Sequence, residues 1–186
     1  IGVGMDMERA ASLCAEAATF TDEAGKTCRQ IIEVANDNGG GQVVVAGEMA
    51  AIDRVIDLAK AQGVKRALKL PVSAPFHCSM MEPAAEAMRK ALDEAEIKAP
   101  IVPVVANVTA AKVTDPATIR DLLVRQITGT VRWRESVDAM AAMGVDSFVE
   151  IGSGKVLAGL VKRINGDVAT RSVGTPADIE AYLATR

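Results

Sequence analysis

The sequence has a single histidine, His77, and this is the side chain best suited to acid–base chemistry. It lies in the segment SAPFHCSM, between an apolar run ending at Leu70 and a helical pattern beginning near Glu82. Imidazole titrates closest to neutral pH, so a loop histidine suits a general base or acid. An ordinary half-buried histidine is the alternative that position alone leaves open. The adjacent Cys78 is interpreted as a small buried hydrophobe, because neighbouring loop residues usually point apart.

Two glycine-rich segments are further candidates for binding. NDNGGG carries Asn36 and Asn38, whose amides can bind a carbonyl or orient an acyl group, although turn formation is the commoner role of such a segment. GSGKVL, at 152–157, follows an apolar run and opens a helical pattern, so its N–H groups could meet an anion. It lacks the spacing of a P-loop, and a tight turn is again the commoner interpretation.

Charged residues give one small basic cluster, formed by Lys60, Lys65, Arg66 and Lys69. A solvated surface is its default interpretation, against a site for an acidic protein or phosphates. No GxSxG nucleophile elbow, HExxH, GxGxxG or calcium-loop motif occurs, so His77 has no evident nucleophile beside it. No metal site is expected.

Composition limits the class of protein. The chain has 186 residues, 49% of them hydrophobic and 24% charged, with a net charge of −3. This is enough apolar material for a core. Scattered basic residues and the lack of a long apolar run argue against nucleic-acid and membrane partners. The start IGVGMDMERA lacks the basic flank and apolar region of a signal peptide, so a cytoplasmic location is expected. Three cysteines at irregular spacing suit reduced thiols.

The elements that must position these residues alternate between strand-like runs and helical patterns, which is typical of α/β folds. A strand over residues 1–3, a helix from Asp6 to about residue 18, a hairpin around NDNGGG, a helix over 48–62 and a strand over 66–70 give the order βαββαβ. The sequence therefore predicts a ferredoxin-like subdomain over residues 1–70, with its first strand truncated.

From Pro71 onward the pattern predicts part of a parallel sheet covered by helices. Helices are expected over 82–94, 115–128, 134–143, up to 164 and over 176–184, with strands over 101–107, 147–151 and 169–173. Residues 71–186 then belong to a second, larger α/β core.

Four segments together resemble the C-terminal motifs of the malonyl-CoA:acyl-carrier-protein transacylase family. They are LPVSAPFHCSMMEPA at 70–84, VVANVTA at 104–110, QITGTVRWRESV at 126–137 and EIGSGKVLAGLVKR at 150–163. Their order and spacing carry the resemblance over essentially the whole chain. It implies that residues 71–186 are the C-terminal part of an α/β-hydrolase-like core.

The resemblance implies acyl transfer by a serine and a histidine. In this family a serine on a GHSxG elbow attacks malonyl-CoA, and a histidine at the position of His77 moves its proton. The histidine ring is held by a main-chain carbonyl, which by motif is that of Gln126. A neutral carbonyl fixes the ring tautomer without adding a charge.

Further residues are assigned by the same resemblance. Phe76 matches a position that accompanies malonyl rather than methylmalonyl units, and Lys65 and Arg66 match basic positions that meet the acidic carrier protein. Asn36 and Asn38 lie on a segment that would face the acyl chain. The implied substrate is malonyl-CoA, the partner is acyl carrier protein with its own phosphopantetheine, and no cofactor is expected. A monomer is expected for the complete enzyme.

The family's GHSxG serine segment has no counterpart in the chain. The sequence is therefore expected to be the C-terminal part of a longer transacylase, inactive by itself. Two alternatives are a non-catalytic fragment that binds carrier protein or CoA, and the acyltransferase domain of a polyketide synthase.

Overall fold

A computed structural model describes residues 5–185 of the chain. These residues form two compact units, one ending at Trp133 and the other beginning at Arg134. Helices alternate with short strands along both units, so the predicted α/β class is confirmed. These two units do not test the subdomain boundary expected at residue 70, which stays a prediction.

The first unit holds the elements around His77. Its helices are α1 (Met7–Ala18), α2 (Met49–Ala61), α3 (Glu82–Glu94) and α4 (Pro116–Arg125). Its strands are β1 (Thr19–Thr21), β2 (Thr27–Arg29), β3 (Ile32–Asp37), β4 (Val43–Gly47), β5 (Val104–Ala106), β6 (Ala111–Val113) and β7 (Val131–Arg132). A 3₁₀ turn over Ser79–Met81 leads directly into α3.

The second unit follows the predicted order closely. Helix α5 (Trp133–Ala142) begins at the boundary and is followed by β8 (Ser147–Ile151), α6 (Val156–Ile164), β9 (Ala169–Val173) and α7 (Pro176–Leu183). Strands β8 and β9 pair in parallel, as the alternation predicts.

Helix starts follow from capping side chains. Asp6 accepts a hydrogen bond from the backbone N–H of Arg9 at the start of α1. Asp115 accepts one from Thr118 at the start of α4, with Pro116 at the first helical position. These caps satisfy N–H groups that have no partner within the helix. The sequence predicts both starts from the same residues.

Helices α1 and α2 bury one apolar face each against the β3–β4 hairpin. Leu13 and Ala17 from α1 share a core cluster with Val55 and Ala59 from α2 and with Val43 from β4. Helical spacing of these residues puts them on one face of each helix, so the burial expected from the sequence is confirmed. Strand β3 is thereby fixed from one side by the core.

The sheet around β3 differs from the prediction. Its order is β4-β3-β7, with β3 antiparallel to β4 and parallel to β7. The predicted strand over 66–70 is wrong, because these residues join no ladder. In a βαββαβ sheet its neighbour would be the first strand, and the residues predicted for that strand, 1–3, lie outside the described part of the chain.

Short strands account for the remaining differences. The polar turn expected around residues 22–26 lies between β1 and β2, which pair as a hairpin that the sequence did not indicate. The strand expected over 101–107 is reduced to β5, which pairs with the unpredicted β6. Three-residue strands carry too little periodicity to be recognised.

The described residues contain no helix that is long and apolar enough to cross a membrane. Within residues 5–185, no three His, Cys, Asp or Glu side chains are grouped so that they could hold a metal ion.

Candidate active site

His77 occupies an unusual backbone conformation. Its φ is 60°, in the left-handed region that residues other than glycine rarely adopt. Such a conformation costs on the order of 1–3 kcal/mol and persists only where the surroundings impose it. The side chain is half-buried. A strained, half-buried histidine on a loop is the kind of residue that functional sites contain.

The ring of His77 is held by the end of helix α4. Its Nδ1 lies 2.7 Å from the backbone carbonyl oxygen of Gln126. A carbonyl can only accept, so Nδ1 carries the hydrogen and Nε2 is the nitrogen available for proton transfer. Gln126 is the C-cap of α4, where carbonyl groups have no partner within the helix. The structure therefore brings together the two residues that the resemblance paired.

The Gln126 side chain has its own anchor. Its Oε1 accepts a hydrogen bond of 3.0 Å from Nδ2 of Asn107, which directly follows β5. The carbonyl of Asn107 accepts a hydrogen bond from the backbone N–H of Arg132 in β7. The residue that holds His77 is thus tied to the strand beside β3.

The residues after His77 are tied to β3 itself. Cys78 is fully buried and packs in a cluster with Ala35 and Ala46. Burial, together with the charge of the nearby Glu33 carboxylate, raises the pKa of the Cys78 thiol. Only a thiolate is a strong nucleophile, so the geometry agrees with the interpretation of Cys78 as a packed hydrophobe.

A cavity of about 840 Å³ borders the histidine. His77, Phe76, Asn36 and Asn38 all line it, as does the apolar Val44 of β4. This volume lies within the range of small-molecule sites, which combine apolar walls with a few polar groups. Four of the residues singled out from the sequence therefore share one cavity.

The two asparagines reach the cavity from the end of β3, which contains Asn36, and from the residue directly after it, Asn38. Asn36 and Asn38 stand two residues apart, so they share one face of the extended chain. Asp37 between them is buried, and its carboxylate accepts a hydrogen bond from the N–H of Gly39. Gly39, Gly40 and Gly41 all have positive φ, which allows the tight reversal into β4. Both the turn and the binding interpretations of this segment are compatible with that placement.

Lys65 and Arg66 lie apart from the cavity. They follow α2 and both are exposed, and neither forms an ion pair with another described residue. Lys69, from the same basic cluster, does line the cavity and forms a 2.6 Å ion pair with Asp53. The structure thus divides this cluster into an exposed pair and a cavity residue.

The GSGKVL segment is a turn into α6, and two N–H groups in the first turn of that helix are already hydrogen-bonded. The carboxylate of Glu150 accepts hydrogen bonds of 3.1 Å and 2.9 Å from the N–H groups of Leu157 and Ala158. These bonds lower the pKa of Glu150. An anion would have to displace the protein's own carboxylate, so the tight-turn interpretation is favoured.

Sequence reasoning did not single out Asn107 or Glu33. Asn107 lies within the VVANVTA motif, and that position was the available signal. Glu33 accepts two hydrogen bonds from Ser79, but nothing in the sequence links residues so far apart.

Taken together, the site has a histidine with a fixed tautomer, an Nε2 that no described residue engages, and a cavity beside it. This arrangement can accept a proton from a hydroxyl or thiol and return it, which is what acyl transfer through a serine requires.

Comparisons with known proteins give acyl transferases. Residues 5–173 match the acyl transferase domain family. The malonyl CoA-acyl carrier protein transacylases of Salmonella typhimurium and Bacillus subtilis are 42% and 43% identical, over 97% and 83% of this chain and 56% and 49% of their own lengths.

Solved structures agree as well. The acyl-carrier-protein S-malonyltransferase of Bartonella henselae superposes with a TM-score of 0.87 at 46% identity, over 98% of this chain and 55% of that chain. A malonyl-transacylase in complex with its type II polyketide-synthase acyl-carrier protein gives 0.88 at 39% identity, over 99% and 57%.

The chain spans about half the length of the curated relatives it matches. The family match extends over most of the chain, and the structural likeness covers nearly all of it. The chain belongs to the acyl transferase domain family.

Proposed function

We propose that this chain is the C-terminal part of a malonyl-CoA:acyl-carrier-protein transacylase and that His77 is its general base. The observation that carries the proposal is the 2.7 Å contact between Nδ1 of His77 and the carbonyl of Gln126, which leaves Nε2 free beside a cavity. The nucleophilic serine, on a GHSxG elbow, would come from outside these 186 residues. The reaction belongs to fatty-acid synthesis.

The proposed reaction has two proton-transfer cycles at one nitrogen. Nε2 of His77 takes the serine proton as the serine oxygen attacks the malonyl thioester carbonyl, and it gives that proton to the departing CoA sulfur. In the second half of the reaction, Nε2 takes the proton of the phosphopantetheine thiol as that sulfur attacks the carbonyl of the acyl-serine. Nε2 then returns the proton to the departing serine oxygen. Atoms and charge balance over the cycle.

Gln126 contributes through its backbone. Its carbonyl accepts the hydrogen on Nδ1, and it lies at the C-terminal end of α4, where the helix dipole is negative. Gln126 therefore orients the ring without a carboxylate beside it.

The cavity residues would hold the acyl group. Phe76, about half of whose surface is exposed, borders the cavity next to His77, where a bulky ring would crowd an α-methyl group. Asn36 and Asn38 offer amide groups for the malonyl unit. Malonyl-CoA is thus the preferred donor.

The malonyl adduct on serine tests the proposal. The experiment uses an upstream-extended protein, in which these 186 residues follow a segment with the GHSxG motif. After incubation with malonyl-CoA, intact-mass analysis should show one malonyl adduct on this protein and none on the 186-residue chain. Added carrier protein with its phosphopantetheine should remove the adduct. The proposal fails if the extended protein gains no adduct, or if carrier protein leaves the adduct in place.

Lys65 and Arg66 are proposed to contact the acidic carrier protein, because both are exposed and have no described ion-pair partner. Replacing both by Glu should raise the KM for carrier protein roughly tenfold and leave malonyl-CoA hydrolysis unchanged, since surface charges mainly steer association. Lys26→Glu, in the exposed turn before β2, is the matched control. Equal effects on transfer and hydrolysis would contradict docking at this pair.

A further inference from the structure

Both carboxylate oxygens of Glu33, in β3, accept hydrogen bonds from the same residue. Its Oε2 accepts a 2.8 Å hydrogen bond from the backbone N–H of Ser79, and its Oε1 accepts a 2.7 Å hydrogen bond from the Ser79 hydroxyl. Hydrogen bonds to an ionised carboxylate are shorter and stronger than neutral ones. The two residues are 46 positions apart, so this contact fixes a loop to a distant strand.

Ser79 lies two residues after His77, at the start of the 3₁₀ turn. Between them, Cys78 is fully buried in a cluster with Ala35, which is also a residue of β3. Two consecutive residues after the strained histidine are therefore held by the same strand. This double attachment supplies the constraint that a left-handed φ at a non-glycine residue needs.

Strand β3 also holds the segment that follows Gln126, the residue whose carbonyl contacts His77. The hydroxyl of Thr130, shortly after α4, donates a 2.7 Å hydrogen bond to the carbonyl of Val34. Asn36 pairs with Val131 in the parallel ladder. The segment that follows Gln126 and the segment that follows His77 are thus both fixed to β3, which sets the distance between them.

We propose that Glu33 is a positioning residue for His77. Its carboxylate, acting through Ser79, holds the His77 backbone so that the ring meets the Gln126 carbonyl and presents Nε2 to the cavity. This inference rests on the proposed function of His77 as the general base. Glu33 itself lies outside the group of cavity-lining residues and takes no part in proton transfer.

Steady-state kinetics of malonyl transfer by the upstream-extended protein test the inference. Glu33→Ala should lower kcat about tenfold and leave the KM for malonyl-CoA within twofold, because a misplaced base weakens the chemical step rather than binding. Glu33→Gln should restore most of kcat, since its amide can still accept from the Ser79 N–H and donate to the Ser79 oxygen. Glu23→Ala, in the exposed turn between β1 and β2, is the matched control and should behave like the parent.

The outcomes separate this inference from the proposed function. His77→Ala is measured in the same assay: if it keeps activity within a few-fold of the parent, the general-base proposal fails. If His77→Ala is inactive and Glu33→Ala matches the parent in kcat, only the positioning role of Glu33 is overturned. Equal losses in Glu33→Ala and Glu33→Gln would also overturn it, because the Gln amide can keep both hydrogen bonds and should hold the loop in place.

A second variant covers the case in which Glu33→Ala does not fold. Ser79→Ala removes the hydroxyl bond and keeps the N–H bond, so kcat should fall about threefold at unchanged thermal midpoint. An unchanged kcat in a folded Ser79→Ala protein would overturn the inference.

Discussion

Two turns of this chain enter helices in different ways. The turn at residues 152–155 enters α6, and its positive φ angles fall on Gly152 and Gly154. The turn at residues 76–81 enters α3, and its positive φ falls on His77. Glycine adopts such angles without steric cost, whereas a residue with a Cβ does not. A positive φ is therefore inexpensive in the first turn and strained in the second.

A carboxylate accepts hydrogen bonds at each turn, but its separation from the turn along the sequence differs. Glu150 accepts from Leu157 and Ala158, which are seven and eight residues away. Glu33 accepts from Ser79 across 46 residues. The carboxylate that supports the first turn belongs to the strand directly before it, whereas the one that supports the second belongs to the distant strand β3. We therefore expect the turn that carries His77 to depend on β3.

The largest expected effect is on the rate of malonyl transfer, which should depend on the turn at 76–81 and not on the turn at 152–155. In the upstream-extended protein, His77→Ala should lower malonyl transfer by about 10²-fold or more, because loss of a general base has this effect. Ser153→Ala, the matched change in the other turn, should leave the rate within about twofold. Initial rates with malonyl-CoA and carrier protein measure both. Comparable losses in the two variants would remove the functional distinction between the turns.

A smaller effect tests the backbone strain. Gly154→Ala should lower the free energy of unfolding by about 1 kcal/mol, because the φ of 97° disfavours a Cβ even though no atom lies within 4 Å of it. At the other turn, His77→Gly should be more stable than His77→Ala by about 1 kcal/mol, for the same reason. Urea denaturation at constant m-value measures both differences. Equal stabilities of His77→Gly and His77→Ala would show that residue 77 is unstrained.

The smallest effect concerns the charge of Glu150. Hydrogen bonds from Ala158 and Leu157 lower the pKa of its carboxyl in the folded state. A lowered pKa gives stability that is complete above the unfolded pKa of about 4.3 and is lost as the pH falls through the folded value. The thermal midpoint of Glu150→Ala should therefore lie below that of the parent at pH 7, and the gap should narrow in the acid range below about 4.3.

An exposed carboxylate of α7 provides the control for that measurement. Glu180→Ala removes a side chain that makes no hydrogen bond to another described residue, so its thermal midpoint should follow the parent at every pH. A gap for Glu150→Ala that stays constant between pH 7 and the acid range would contradict the capping role of the charge.

Local patterns allowed much of the fold to be predicted. Helix α3, strand β8 and strand β9 occur at the predicted residues, because the periodicity of apolar residues is encoded within a few positions. The strand expected over 66–70 failed for a different reason. Its pattern is local, but a strand also needs a partner, and the described residues supply none. The pairing of β7 with β3 likewise cannot be predicted from any short segment of the sequence.

The same difference between local patterns and distant contacts applies to the candidate site. The sequence alone pairs His77 with Gln126, because whole motifs carry the resemblance, and in the fold Nδ1 of the histidine lies 2.7 Å from the Gln126 carbonyl oxygen. The roles proposed for both residues stay predictions. Glu33 could not be found, since its importance lies in a contact with Ser79 that depends on how β3 and the loop meet in space.

The parallel pairing of β3 with β7 also has a kinetic consequence. The bond between Thr130 and Val34 joins residues 96 positions apart, whereas the β3–β4 hairpin pairs residues within 32–47. Closing a long loop is slow because its entropy is lost before the contacts form. We therefore expect the hairpin to form early and the pairing of β7 with β3, which fixes the segment after Gln126, to form late. Partly folded chains would carry the histidine without its orientation.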